Sequence, residues 1–503
     1  DGWAVEEGGR WNATTHARTP NHKRLFERFG ASRLLCHGRY VGLPDGIMGN
    51  SEVGHSNIGA GRIVKQESLH IREKVENGEF FKNEVLLSVM RKCRESGGAL
   101  HLMGLCSDGI VHSDIEHLRA LLKMARQNRV SKVYLHLFLD GRDVAPKSAL
   151  KYIRQVEEWC KEYGGKVATV GGRYWGMDRD KRWERTKIAY DAIVWGKGER
   201  FEESAEEALE NAYRRGETDE FVKPVVIRNK EFVYKGMEKG DGVIFFNFRA
   251  DRGRQLTRAL VADNFNEFER KYDEKLKERM ATFTLYDGAL DVPYAFSLPP
   301  VEKNLGKVLS ENGLKQFRIA ETEKYAHVTY FFNNGREVPY DGEERLLIPS
   351  PKVATYDMKP EMSAYEVTDA LLKRLDERVD DFVVVNYANC DMVGHTGVFE
   401  AAVKAVEVVD ECVGRVVECV FRLGGVVVVT ADHGNCEVMQ DEEGSPHTYH
   451  TLNPVHFCIA DSRGNRYKLR ESGVLADVAP TVLDLLGLEK PDEMSGESMI
   501  EGG

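Results

Sequence analysis

The chain has 503 residues, 42% hydrophobic and 30% charged, with 70 Lys and Arg against 81 Asp and Glu and a net charge of -11. That length exceeds what one core supports, so two domains are expected, and the acidic balance excludes the basic stripe that a nucleic-acid binder presents. Nine scattered cysteines without a Cys-x-x-Cys pair exclude a disulfide scaffold and point to a reduced, cytoplasmic protein. The longest apolar runs are strand-sized, so no membrane partner is expected.

Short β-branched or aromatic runs alternate with amphipathic segments, the pattern of βαβ units, and the class is therefore α/β. Taken in order, the first feature is DGIMGNSEVGHSNIGAGR, residues 45–62. It places Ser51 among glycines that suit a turn or a close backbone approach to a ligand. No Gly-Lys-Ser/Thr follows at Walker A spacing, and Gly-x-Ser-x-Gly is absent, so the hydroxyl needs an activator from elsewhere. The stretch reads as an unscreened loop, with a domain crossing near residues 64–68.

Strands are expected at 100–105, 133–139, 167–170, 243–248, 281–285, 382–387 and 426–430. Four of them run into polar clusters: Asp108-Gly-Ile-Val-His112, Asp140-Gly-Arg142-Asp143, Gly172-Arg173 through Arg179, and Arg249-Ala-Asp-Arg252. Arginine forks bind phosphate and carboxylate bidentately, so these strand ends form a recognition shell for an anionic small molecule. The acidic run at 199–220 reads as a solvated helix face. The proline-rich passage 291–300 reads as a second crossing. One domain, 1–65 with 299–503, is then discontinuous, and 66–298 is inserted into it.

The final third carries two acid–imidazole pairs. A buried valine strand leads to Asp391, with His395 one helical turn on, and a second leads to Asp432-His433. Between them Val403, Val406, Val409, Val413, Val416 and Val420 mark one helical face. Ligands in open sheets bind outside the carboxyl ends of strands, so both pairs are expected at one crevice, joined by His447 or His450. Carboxylate and imidazole without thiolate suit Mn²⁺, Zn²⁺, Co²⁺ or Mg²⁺ alike. Two such ions about 3.5–4 Å apart clamp a transferring phosphoryl group and lower the pKa of a coordinated serine.

Asp1-Gly-Trp, Met48-Gly-Asn-Ser51-Glu-Val-Gly-His55, Asp391-Met-Val-Gly-His395, Ala431-Asp432-His433-Gly434-Asn435 and His450-Thr-Leu-Asn-Pro454 occur in the order and spacing of the cofactor-independent phosphoglycerate mutases. On these motifs the chain resembles that family, within the alkaline phosphatase superfamily, over essentially its whole length. The resemblance implies an alkaline-phosphatase-like doubly wound sheet with an inserted α/β domain. It implies a glycolytic monomer that interconverts 3- and 2-phosphoglycerate through a phosphoserine on Ser51, without 2,3-bisphosphoglycerate. One Mn²⁺ is implied on Asp391, His395 and His450, and another on Asp1, Ser51, Asp432 and His433. His112, Arg142, Asp143, Arg173, Arg179, Arg249, Arg252 and Lys324 are implied as substrate contacts, with Asp143 as acid–base. Lys324 is expected to reach the phosphoryl group only on domain closure, about hinges near residues 66 and 298. In the family a first core strand leads into the equivalent of Asp1, and that strand is expected to precede the present sequence. The competing expectation is a related metal-dependent phosphatase, which lets water in.

Overall fold

The computed structural model describes residues 1–6, 8–271, 275–441 and 443–502. The chain divides into two compact units, Asp1–Gln66 with Pro299–Gly503, and Glu67–Leu298. Among the described residues the strands are, in chain order, β1 (Ser32–Leu35), β2 (Leu100–Leu105), β3 (Val133–Leu139), β4 (Lys166–Gly172), β5 (Arg200–Glu202), β6 (Val225–Ile227), β7 (Gly242–Phe245), β8 (Met280–Thr282), β9 (Gln316–Glu321), β10 (Glu343–Ile348), β11 (Phe382–Asn386), β12 (Val426–Thr430), β13 (Val455–Asp461) and β14 (Ser472–Val474).

The second unit is built on one seven-stranded sheet in the order β5-β6-β4-β3-β2-β7-β8. All its pairings are parallel except that of β4 with β6. Its central strands β2, β3, β4 and β7 are mostly apolar and buried because both faces are covered, while the edge strand β5, Arg-Phe-Glu, is not. On β2, Leu100 and Leu102 enter one core while Met103 and Leu105 enter another. The strand expected at 243–248 stops at Phe245, because Phe248 and Arg249 turn aside to donate their N–H groups to the His112 carbonyl. That turn is what brings the fourth expected polar cluster beside the first. The acidic 199–220 stretch holds the helix Ala205–Arg214, whose alanines and leucine face inward and whose glutamates face solvent.

The first unit has a four-stranded sheet, β12-β13-β1-β14, and a parallel three-stranded sheet, β10-β9-β11. On β11, Val383 and Val385 pack with the helices Ala364–Asp376 and Phe399–Leu423, while Phe382 and Val384 pack with the opposite core around Leu305 and Val482. On β12 the valines alternate in the same way. Helices therefore cover both faces, as in a doubly wound fold. Strands β11 and β12 each pair along one edge, and both line a cavity of about 670 Å³ with Leu371, Val413 and Val416. Their valines are for that reason half-buried, where the sequence predicts full burial. The valine periodicity at 403–420 is one face of the helix Phe399–Leu423, with Val406, Val409 and Val416 buried.

The nine cysteines are all free thiols. No helix among the described residues is long and apolar enough to cross a membrane.

Candidate functional site

The stretch expected to be a glycine loop is a helix, Ser51–Ala60. Asn50 caps it, its side chain accepting the Val53 N–H at 2.9 Å, which satisfies one of the donors a helix start leaves open. Ser51 is therefore screened, at 6% exposure, rather than displayed. Composition misled here because Gly54 serves contact, not mobility. A Cβ at that position would lie 2.8 Å from the Asp432 Cβ, so only glycine lets the helix press against the end of β12.

Around the Ser51 hydroxyl the first unit gathers side chains from five separated segments. Ser51 Oγ lies 2.9 Å from His433 Nε2, 3.1 Å from Asp1 Oδ1 and 2.7 Å from Lys324 Nζ. The Lys324 ammonium also contacts Asp1 Oδ1 at 2.8 Å and Asp391 Oδ2 at 2.6 Å. Lys324 belongs, as expected, to the same unit as Ser51, and it touches the serine directly. Asp391 Oδ1 in turn meets His395 Nε2 at 3.0 Å and His450 Nε2 at 3.1 Å. The His433 and His450 rings stack with centroids 3.8 Å apart. Both acid–imidazole pairs and Ser51 thus meet at one place, while His447 stands apart, against Tyr449.

The donors fit divalent ions. Asp391 with His395 and His450, and Asp1 with Asp391 and His433, each bring their ligand atoms within 4.8 Å of one another. A third group of that kind joins Asp1 and Asp432 to His55. His395 Nδ1 donates to the Thr448 carbonyl and His450 Nδ1 to the Gly49 carbonyl, both at 2.8 Å, so each ring turns Nε2 toward the cluster. Asp432 Oδ2 is buried, with the imidazoles of His55 at 3.3 Å and His433 at 3.6 Å, and it makes no well-aligned hydrogen bond, which suits an atom meant for a cation. Burial opposes the charge of Asp391, yet Lys324 and the surrounding imidazoles hold it well below the usual carboxylate range. Burial likewise opposes Asp432, but His433 and His55 hold it well below that range. Burial and His433 lower His450, whereas contact with Asp391 raises His395 despite burial.

In the second unit the ends of β2, β3, β4 and β7 assemble the other cluster. Arg173, 2% exposed, places Nη1 2.7 Å from Asp140 Oδ1 and 2.5 Å from Asp143 Oδ2. Asp251 accepts from Arg179 at 2.7 Å and lies 3.5 Å from Arg249 Nε and 3.6 Å from His112 Nδ1. Arg252 donates to the Met177 carbonyl at 3.1 Å, and burial beside Arg173 and Arg179 lowers its pKa. Burial and Arg173 push His112 down to about 3, so it stays neutral in this crowd of guanidinium groups. Arg142 is the outlying member, exposed and paired with Glu220 at 3.3 Å. Burial raises Asp143 above the ordinary carboxylate value although Arg173 opposes it.

Sequence reasoning did not single out Asn386, Asn435, His55, Asp140 or Asp251. Asn386 Nδ2 donates to Asp1 Oδ2 at 2.9 Å, and Asn435 Nδ2 to Asp391 Oδ1 at 3.2 Å. The available signals were a lone polar residue closing a valine strand, and an aspartate between two arginines.

The model of the BPG-independent PGAM N-terminus family matches residues 71–288. Over 503 residues the chain is 54% identical to 2,3-bisphosphoglycerate-independent phosphoglycerate mutase 2 of Methanosarcina acetivorans, covering 99% of this chain and 96% of that one. It is 53% identical to the 2,3-bisphosphoglycerate-independent phosphoglycerate mutase of Moorella thermoacetica, covering 100% and 97%. The chain belongs to the 2,3-bisphosphoglycerate-independent phosphoglycerate mutase family. A Leishmania mexicana phosphoglycerate mutase, solved at low cobalt concentration, superposes with a TM-score of 0.74 at 32% identity over 99% of this chain and 96% of that one. The fold described above is thus the fold of a phosphoglycerate mutase, and the Ser51 and Arg173 clusters are features of a chain of that family.

Proposed function

We propose that this chain interconverts 3-phosphoglycerate and 2-phosphoglycerate by way of a phosphoserine on Ser51, independently of 2,3-bisphosphoglycerate. The observation that carries the reading is the Ser51 hydroxyl, held within 3.1 Å of an ammonium, an imidazole and a carboxylate at once. Asp391, His395 and His450 would hold one divalent ion and Asp1, Ser51, Asp432 and His433 another, Mn²⁺ first among the candidates, supplying Lewis-acid charge at the serine and phosphoryl oxygens.

Ser51 enters as the alkoxide, its charge compensated by Lys324. Its Oγ forms a bond to phosphorus as the bond to the 3-oxygen of the substrate breaks. Asp143 gives its proton to that departing oxygen. His112, Arg142, Arg173, Arg179, Arg249 and Arg252 keep the resulting glycerate bound while it reorients. The 2-hydroxyl then yields its proton to Asp143 and takes the phosphoryl group from Ser51, which regenerates the alkoxide and the protonated acid. A simple hydrolase has no use for that set of arginines, which supports a mutase over a phosphatase.

Stripping the protein with excess chelator lowers mutase activity by at least about 100-fold, the scale of losing a Lewis acid worth several kcal/mol, and Mn²⁺ restores it. Added 2,3-bisphosphoglycerate changes nothing. Full activity in the chelator, or inorganic phosphate as the product, contradicts the reading.

A further inference from the structure

We propose that Glu437 is a positioning residue which fastens the segment bearing His433 to the segment bearing His450 and thereby sets the spacing of the imidazoles at the candidate metal centre. The inference rests on the reading of His433 and His450 as ligands.

Glu437 is 1% exposed. One carboxylate oxygen, Oε2, accepts the backbone N–H of Asn435 at 2.9 Å. The other, Oε1, accepts from the Thr451 hydroxyl and from Asn453 Nδ2, the latter at 3.2 Å. One side chain therefore grips the turn two residues beyond His433 and the residue directly after His450. The backbones are joined at the same place, where the Thr451 N–H donates to the Gly434 carbonyl at 3.1 Å. A Cβ on Gly434 would stand 2.2 Å from Glu437 Oε1 and 2.3 Å from the Thr451 hydroxyl oxygen, so glycine is required for the carboxylate to sit against the turn.

Two consequences reach the ligands. Held by Glu437, the turn lets Asn435 extend its amide to Asp391 Oδ1 at 3.2 Å, the oxygen that also meets His395 and His450. The clasp to Thr451 fixes the chain beside His450, whose ring stacks on His433 at 3.8 Å. The three hydrogen-bond partners named for Glu437 are neutral donors. Burying a carboxylate carries a desolvation cost that these hydrogen bonds offset, and what it contributes to the site is geometry and negative potential next to a cation site. Groups in this outer position set ligand orientation and are typically worth 10- to 100-fold in metal affinity.

Glu437→Gln tests the point, because an amide cannot accept from the Asn435 N–H on one side and from Thr451 and Asn453 on the other. Thr451→Val removes one clasp without touching the carboxylate, and Thr451→Ser keeps the hydroxyl. Mn²⁺ affinity is read from the free-ion electron paramagnetic resonance signal, and ligand geometry from the visible absorption of the Co²⁺-loaded protein. The expected result is a 10- to 100-fold weaker Mn²⁺ affinity and an altered Co²⁺ spectrum in Glu437→Gln. A smaller loss in Thr451→Val, wild-type behaviour in Thr451→Ser and an unweakened metal-free fold are expected beside it. Wild-type affinity and spectrum in both Glu437→Gln and Thr451→Val would overturn the proposal while leaving the metal centre standing. Absence of Mn²⁺ binding by the unmodified protein would overturn both. If Glu437→Gln does not fold, the Thr451 pair decides alone.

Discussion

Ser51→Ala lowers mutase turnover by about four to six orders of magnitude, the scale seen when a covalent nucleophile is removed, and leaves the protein folded. The hydroxyl is the only atom lost, and Asn50, which caps the helix, is untouched. Lys324, Asp1 and His433 keep one another as partners through contacts at 2.8 and 3.2 Å, so the cluster retains its charge balance without the serine. Stability to denaturant therefore stays within about 1 kcal/mol, the ordinary scale of one hydrogen bond. A coupled assay in the direction of 2-phosphoglycerate reads the loss directly. Substantial turnover in a folded Ser51→Ala protein would remove the phosphoserine route.

The second large effect concerns Arg173. Its guanidinium bridges Asp140 and Asp143 in a buried position, so Arg173→Met leaves the Asp140 carboxylate without its cation and Asp143 without its hydrogen-bond donor. Breaking a buried pair from one side costs about 3–5 kcal/mol, because the remaining charge keeps its desolvation penalty. The second unit of Arg173→Met is expected to unfold at markedly lower denaturant than that of the unmodified protein, and kcat/KM to fall with it. Arg173→Lys keeps the charge but not the fork, and recovers part of the stability with little of the activity. Equal stability of Arg173→Met and the parent would show that the bridge is not the support described.

Much of this was legible in the residues, and the exceptions have physical causes. Strands β2, β3 and β12 stand at their expected limits because they are apolar or β-branched runs interrupted by no more than one histidine, His101 in β2 and His136 in β3. Strands β1 and β9, SRLL and QFRIAE, were not visible, since charged residues break the period while partners on both sides still complete the ladder. Arg318 of β9 is buried against the Phe332 and Phe382 rings, an environment that no local pattern announces. The acid–imidazole pairs could be read because each follows a valine strand. The helical state of residues 51–60 could not, because Gly54 answers to Asp432 and Gly59 to Phe332, both far away in the chain. Lys324 was expected from the family resemblance alone, and its place beside Ser51 depends on β9 delivering the helix Thr322–Ala326 to the same sheet edge as β11.

The most direct test of the central claim is to quench turnover of phosphorus-radiolabelled 3-phosphoglycerate within one catalytic cycle, digest the protein and locate the label. The account predicts label on the peptide containing Ser51, transferable to 2-phosphoglycerate on a chase with unlabelled glycerate and without release as inorganic phosphate. Turnover with label on another residue, or with no covalent label at any time in the cycle, would contradict it.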